Sequence, residues 1–158
     1  MDLPYNAPMP SWCAVILEDD LDRIQPMRRI LASLLPDAEV ATFDAVPPFR
    51  EFLQKRGHEI VFLSLDCDLT RPCSIVTPED RGDGKDACEF LATCPPFCPV
   101  IVHSSNYSAV PFMLEKLRNA SWHVVLVTPC SDPEYAWIEG EWKTEVERLM
   151  RDGWISCE

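Results

Sequence analysis

Trp12-Cys13-Ala14-Val15-Ile16-Leu17 is an uninterrupted apolar run that stops at Glu18-Asp19-Asp20. A strand with one wet face alternates apolar and polar residues, whereas a strand covered on both faces reads as a continuous apolar run. The stretch therefore predicts a central strand of a parallel sheet, with three acids at its carboxyl end. Directly after it, Ile24, Met27, Ile30, Leu31, Leu34 and Leu35 recur at helical spacing. Arg23, Arg28 and Arg29 fall on the other side of that helix, and Pro26 is expected to start or kink it.

Moving outward, the same alternation repeats. Ala38 to Phe43 reads as a second strand, and Pro47-Pro48 precede a short helix carrying Phe49, Phe52 and Leu53. Ile60 to Leu65 is a third strand, broken by Asp66-Cys67-Asp68. A polar loop runs to Gly82-Asp83-Gly84, before a helix with Ala87, Cys88, Phe90 and Leu91. Pro99 to Val102 is a fourth strand ending in His103-Ser104-Ser105-Asn106. Val110, Met113, Leu114 and Leu117 line the next helix. Trp122 to Val127 is a fifth strand, and Ile138, Trp142, Val146, Leu149 and Met150 line the last helix. Five βα units call for an α/β, three-layer sandwich: a five-stranded parallel sheet of flavodoxin-like order 2-1-3-4-5, with right-handed crossovers. Residues 1–11, with Pro4, Pro8 and Pro10, read as an extended arm, and residues 12–158 as a single domain.

Composition agrees. A chain of 158 residues with 47% hydrophobic content can bury a real core, which excludes a disordered chain. No apolar run reaches the ~20 residues of a membrane span. The net charge of −12 counts against a nucleic-acid duplex as partner, because such surfaces need clustered Lys and Arg. The opening Met1-Asp2-Leu3-Pro4 has neither the basic stretch nor the apolar core of an export signal, so a cytoplasmic setting with reduced thiols is expected. The eight cysteines include no C-x-x-C pair, and Cys13 and Cys88 sit in apolar surroundings where free cysteines usually pack.

In sheets of this order ligands bind beyond the strand ends at the switch between strands 1 and 3. Glu18, Asp19 and Asp20, then Asp66 and Asp68, then His103 and Ser104 meet there. Carboxylates forced together repel, and a hard divalent cation relieves the repulsion. Magnesium, or manganese, is the cofactor the acids suggest, and it would let an acidic protein tolerate a phosphate. The other reading of such acids is that they cap helices and stay solvated, which holds for Asp20 and Asp22 as readily as a site role. His103 has two readings too: an acid/base group, or a core residue whose ring nitrogens are satisfied by neighbours. The glycines of Gly82-Asp83-Gly84 serve either a phosphate at a helix N-terminus or only the entry to that helix.

Leu17-Glu18-Asp19-Asp20, Leu65-Asp66 and Ser104 resemble the motifs of response-regulator receiver domains. Leu65-Asp66-Cys67-Asp68-Leu69, Gly82-Asp83-Gly84-Lys85-Asp86 and His103-Ser104-Ser105-Asn106 further resemble one divergent branch, the cyclic-phosphate-processing receiver-like domains. The resemblance covers about residues 13–128. It implies that Glu18, Asp19 and Asp66 hold metal, and that Asp66, Asp68, His103 and Ser104 are catalytic. Asn106, Gly82 and Gly84 would then contact substrate. In an ordinary receiver Asp66 would accept a phosphoryl group and Ser104 would be the switch hydroxyl. The sequence departs from the pattern twice: Cys67 stands where the divergent branch often has histidine, and Val127-Thr128-Pro129 keeps the proline of an ordinary receiver but lacks its lysine.

Two functions follow. One is metal-dependent hydrolysis or transfer of a cyclic or terminal phosphate, a phosphoesterase-like activity on a phosphate-bearing small molecule or nucleotide. The other is a catalytically inactive pseudo-receiver that serves signalling as a protein-interaction module.

Overall fold

The computed structural model describes residues 11–71, 76–130 and 134–158; the arm expected over residues 1–11 thus lies outside it save for Ser11, as does Cys73. Strands β1 (Trp12–Leu17), β2 (Ala38–Phe43), β3 (Ile60–Leu65), β4 (Val100–His103) and β5 (Val124–Val127) form one sheet in the order β2-β1-β3-β4-β5. Every neighbouring pair is parallel. The expected architecture is the observed one.

Helices cover both faces because β1 and β3 are apolar on both. Cys13, Val15 and Leu17 point into one core layer, which is closed by α2 (Val46–Arg56), α3 (Gly84–Ala92) and α4 (Val110–Asn119) through Phe49, Leu53, Leu91, Met113 and Leu117. Ala14 and Ile16 point into the other layer, which α1 (Leu21–Leu34) and α5 (Lys143–Arg151) close through Met27, Leu31, Val146 and Leu149. Full burial of such side chains stabilises the fold by ~1.5–3 kcal/mol each.

Several local readings need correction. The start of α1 is set by Asp20, whose Oδ1 accepts the Asp22 amide at 2.9 Å, and the helix runs on through Pro26. Pro47 and Pro48 lie inside the first turn of α2, where their missing N–H groups cost nothing, rather than before it. The last helix is preceded by a π-helical turn, Ile138–Trp142, with a break at Gly140 (φ −93°, ψ −105°). That turn swings Trp142 fully into the core.

Among the described residues, Cys13, Cys67, Cys88, Cys94, Cys98, Cys130 and Cys157 are free thiols. No described helix is long and apolar enough to cross a membrane.

Candidate metal centre at the carboxyl end of the sheet

The ends of β1 and β3 are adjacent because the two strands pair up to Leu17 and Leu65, and the Asp66 amide continues the ladder to Leu17 O at 2.9 Å. The next residues, Glu18, Asp19 and Asp66, are thereby forced together, and oxygens from all three lie within 4.8 Å of one another. Glu18 is fully buried and Asp66 is 5% exposed.

Glu18 folds back on its own turn. Its Oε1 accepts the Asp19 and Asp20 amides, both at 3.0 Å, while Oε2 lies 3.1 Å from His103 Nε2. Asp19 Oδ2 accepts the Thr70 and Arg71 amides at 2.7 and 2.6 Å, which ties the loop after β3 to the end of β1. Asp66 Oδ1 accepts the Cys67 amide at 2.7 Å, and its Oδ2 faces Arg23.

Arg23, on the side of α1 away from its apolar stripe, nevertheless meets protein. The first turn of α1 overhangs the sheet end, so the guanidinium drops among the acids. Nη1 is 3.4 Å from Glu18 Oε2 and 3.7 Å from Asp66 Oδ2, and Nε is 3.8 Å from Asp20 Oδ2. The indole of Trp137 lies beneath it, 5.6 Å from guanidinium carbon to ring centre.

The electrostatics follow from this crowding. Burial pushes the Asp66 carboxyl up, and the Glu18 charge adds to it, to about 8. Burial also pushes on Glu18, but the His103 ring, the Asp20 amide and Arg23 outweigh it and bring that carboxyl down to about 2. Asp19 is raised by burial and by Glu18, against the pull of the Arg71 and Thr70 amides. Without further positive charge, the site holds Glu18 ionised and Asp66 protonated near neutral pH.

His103 occupies a different place from the one an acid/base role requires. The ring is fully buried, with Nδ1 2.7 Å from Ser64 Oγ and Nε2 on Glu18, and it stacks on Trp137 at 5.9 Å. The Trp142 indole N–H donates to the same Ser64 Oγ at 2.9 Å. Donors and acceptors match along the whole line when Ser64 donates to Nδ1 and Nε2–H donates to the Glu18 carboxylate. His103 is the middle of a buried relay from Trp142 to Glu18, and neither ring nitrogen is left for a substrate. Asp68 does not hold His103 either; its Oδ1 accepts from Asn106 Nδ2 at 3.0 Å at the exposed rim.

The remaining candidates shape the backbone. Ser104 is buried and its Oγ accepts the Asn106 amide at 3.1 Å. Asn106 Oδ1 accepts the Ser108 and Ala109 amides at 3.1 and 3.0 Å, forming the turn into α4. Gly84 sits where a Cβ would overlap Asp66 O and approach Cys67 Cα to 2.7 Å, and its amide donates to Cys67 O at 2.8 Å. Asp83 takes the Lys85 and Asp86 amides in a capping box, and Gly82 has a left-handed φ of 70°. With these amides consumed, the α3 N-terminus is a helix entry rather than a phosphate cradle.

Three hard oxygen ligands from Glu18, Asp19 and Asp66 fit a magnesium or manganese ion by their chemistry. No protein-family model matches the chain, and no curated protein matches it. Solved structures do. The phosphorylated cyanobacterial phytochrome response regulator RcpA superposes with a TM-score of 0.64 at 15% identity, over 88% of this chain and 93% of that one. The chain has the receiver fold. A receiver domain from Rhodospirillum rubrum gives 0.62 at 12% identity, over 90% and 96% of the two chains. A manganese-bound response regulator gives 0.59 at 15% identity, over 93% and 96%. The strand order and the acidic strand ends of this receiver-like domain are those described above. In place of a lysine it has an exposed Thr128 just after β5.

Proposed function

We propose that this receiver-like domain binds a divalent cation, magnesium or manganese, through Glu18, Asp19 and Asp66, and handles a phosphoryl group there by hydrolysis or transfer from a cyclic or terminal phosphate. The observation that carries the reading is the meeting of three carboxylates at the β1/β3 switch point, two of them on buried residues. Burying like charges together is unfavourable unless positive charge compensates, and Arg23 is one guanidinium against several acids. A bound divalent ion would complete the neutralisation and attract phosphate oxygens. The manganese in one structural neighbour and the phosphoryl group in another support this reading.

Each residue then has a task its geometry suits. Asp66 has its Oδ1 held by the Cys67 amide while its Oδ2 faces Arg23, so Oδ2 is the oxygen it would offer to a metal or a phosphate. Asp19 fixes the Thr70–Arg71 loop against the site. His103 positions Glu18 from behind and is a positioning residue. Thr128 offers no cation where an ordinary receiver has lysine, so the guanidinium facing a phosphoryl group on Asp66 would be that of Arg23. A metal-free interaction module does not require three acids held in mutual repulsion.

The test is phosphorus NMR of the full chain with magnesium or manganese, offered acetyl phosphate and a panel of 2′,3′- and 3′,5′-cyclic nucleotides. Metal-dependent loss of at least one of these, abolished by Asp66→Asn, is the expected result. Rates in wild type and Asp66→Asn that both equal metal and buffer alone would overturn it.

A further inference from the structure

Two clefts flank the acidic centre, and they differ in charge. One, of about 610 Å³, is lined by the carboxylates of Glu18, Asp19, Asp20, Asp22 and Asp44 against the single guanidinium of Arg71. The other, of about 380 Å³, runs between the turn after β4 and the segment after β5, and Arg23, Tyr107, Tyr135 and Trp137 line it, with Glu134 also at its wall. With no metal ion bound, a phosphate is repelled by the acids of the first and met by the Arg23 cation in the second.

We infer that the Arg23 cleft binds the phosphate and organic part of a phosphate ester that carries a planar ring, a nucleoside monophosphate being the fitting class. The inference rests on the phosphoryl-handling role proposed for Asp66, to which this cleft is joined through Arg23, while Glu18 and Asp19 line the other cleft. Arg23 is the shared wall. Its Nη1 side faces Asp66 and Glu18, its Nε lies 3.8 Å from Asp20 Oδ2, and it also lines the cleft. A guanidinium that reaches the wall of a cleft suits phosphate geometry.

The size of the cleft argues for more than phosphate. A bare phosphate fills only a small part of 380 Å³, a volume within the ~300–1,000 Å³ usual for small-molecule sites. The walls suit a planar ring. Tyr107 is 81% exposed, a large aromatic with nothing packed on most of its surface. Tyr135 is held across the cleft in a left-handed backbone conformation, φ 70°, with its hydroxyl donating to Asp20 Oδ2 at 3.2 Å. Trp137, 2% exposed, lies under the guanidinium and keeps it flat rather than offering its own face. The exposed Glu134 disfavours further negative charge, which selects a monophosphate over a di- or triphosphate.

The experiment is calorimetric titration of the full chain with adenosine monophosphate, glycerol phosphate and inorganic phosphate, with manganese binding measured in parallel on each variant. The wild type should bind adenosine monophosphate at least tenfold more tightly than the other two. Tyr107→Ala, at an exposed site that leaves folding intact, should erase that preference while leaving inorganic phosphate affinity in place. Arg23→Gln should lose tenfold or more in nucleotide affinity yet hold manganese as tightly or more tightly, since a competing cation has gone; Arg23→Lys should recover part of the nucleotide binding. Equal affinity for nucleotide and inorganic phosphate in the wild type, or nucleotide binding unchanged in both Tyr107→Ala and Arg23→Gln, would overturn the inference even if metal binds. Nucleotide binding that depends on Arg23 in a chain that binds no manganese would uphold this site and remove the metal reading instead.

Discussion

Asp66 is the residue on which the electrostatics turn, and its behaviour gives a signed prediction. Its carboxyl has an ordinary value of 3.8 and is pushed up to about 8 by burial and by Glu18. The folded state therefore binds the proton more tightly than the unfolded chain, and this contribution to stability is present at low pH and lost as pH rises from about 4 through about 8. Asp66→Asn removes the titration. In a chelator, the variant should melt at a higher temperature than the wild type at pH 8, and the gap should narrow steadily as the pH falls toward 4. His103→Ala has the opposite consequence. It empties a fully buried position and leaves Ser64 and Glu18 without their partner, so urea unfolding should show a loss of about 3 kcal/mol or more, with weaker metal binding because Glu18 is no longer held.

At the level of elements, the approach of α3 to the end of β3 depends on one missing side chain. Gly84→Ala would drive a Cβ into Asp66 O and Cys67 Cα, backbone atoms that cannot rotate away. Overpacking of this kind costs about 1–3 kcal/mol, which corresponds to a fall of roughly 2–10 °C in Tm for a domain of this size. Differential scanning calorimetry of the variant checks it. The same element shows how sequence and structure relate here. The Gly82-Asp83-Gly84-Lys85-Asp86 pattern was open to a phosphate cradle or a helix entry, and the capping box decides for the entry. Strands β1 and β3 were legible to the residue because both-face burial makes a largely apolar run with sharp polar ends, and β2 was legible although it is half-buried and carries Glu39 and Thr42. The ends of β4 and β5 were not: β4 runs from Val100 through His103, and β5 begins at Val124, after the apolar Trp122. Arg23 was missed for a reason of geometry. Helical periodicity reports which side of a helix faces the sheet, but the first turn of α1 projects past the sheet, where the polar side also meets protein. The partners that relay His103 to the core, Ser64 and Trp142, were hidden because a serine in an apolar strand and a tryptophan in an apolar stripe carry no spacing signal.

Across the whole molecule, burial sorts the cysteines and predicts their chemistry. Cys130 is exposed, whereas burial pushes Cys13 up to about 12, Cys67 up to about 11, and Cys88 well above the ordinary thiol range. Thiolate is the reactive form, so under native conditions Cys130 should react first among the described cysteines, and Cys13, Cys67 and Cys88 only on unfolding. Peptide mapping after brief alkylation reads this directly. The charge of −12 is likewise a property of the whole chain, and at the acidic centre oxygens of three carboxylates lie within 4.8 Å of one another. The claim that ties fold, electrostatics and function together is that this centre holds a divalent ion. Titration of manganese into the full chain, followed by the electron paramagnetic resonance signal of the free ion, tests it most directly. The wild type should show one saturable site, at least tenfold weaker in Asp66→Asn and no weaker in Arg23→Gln. Absence of saturable binding in the wild type, or equal binding in Asp66→Asn, would contradict it.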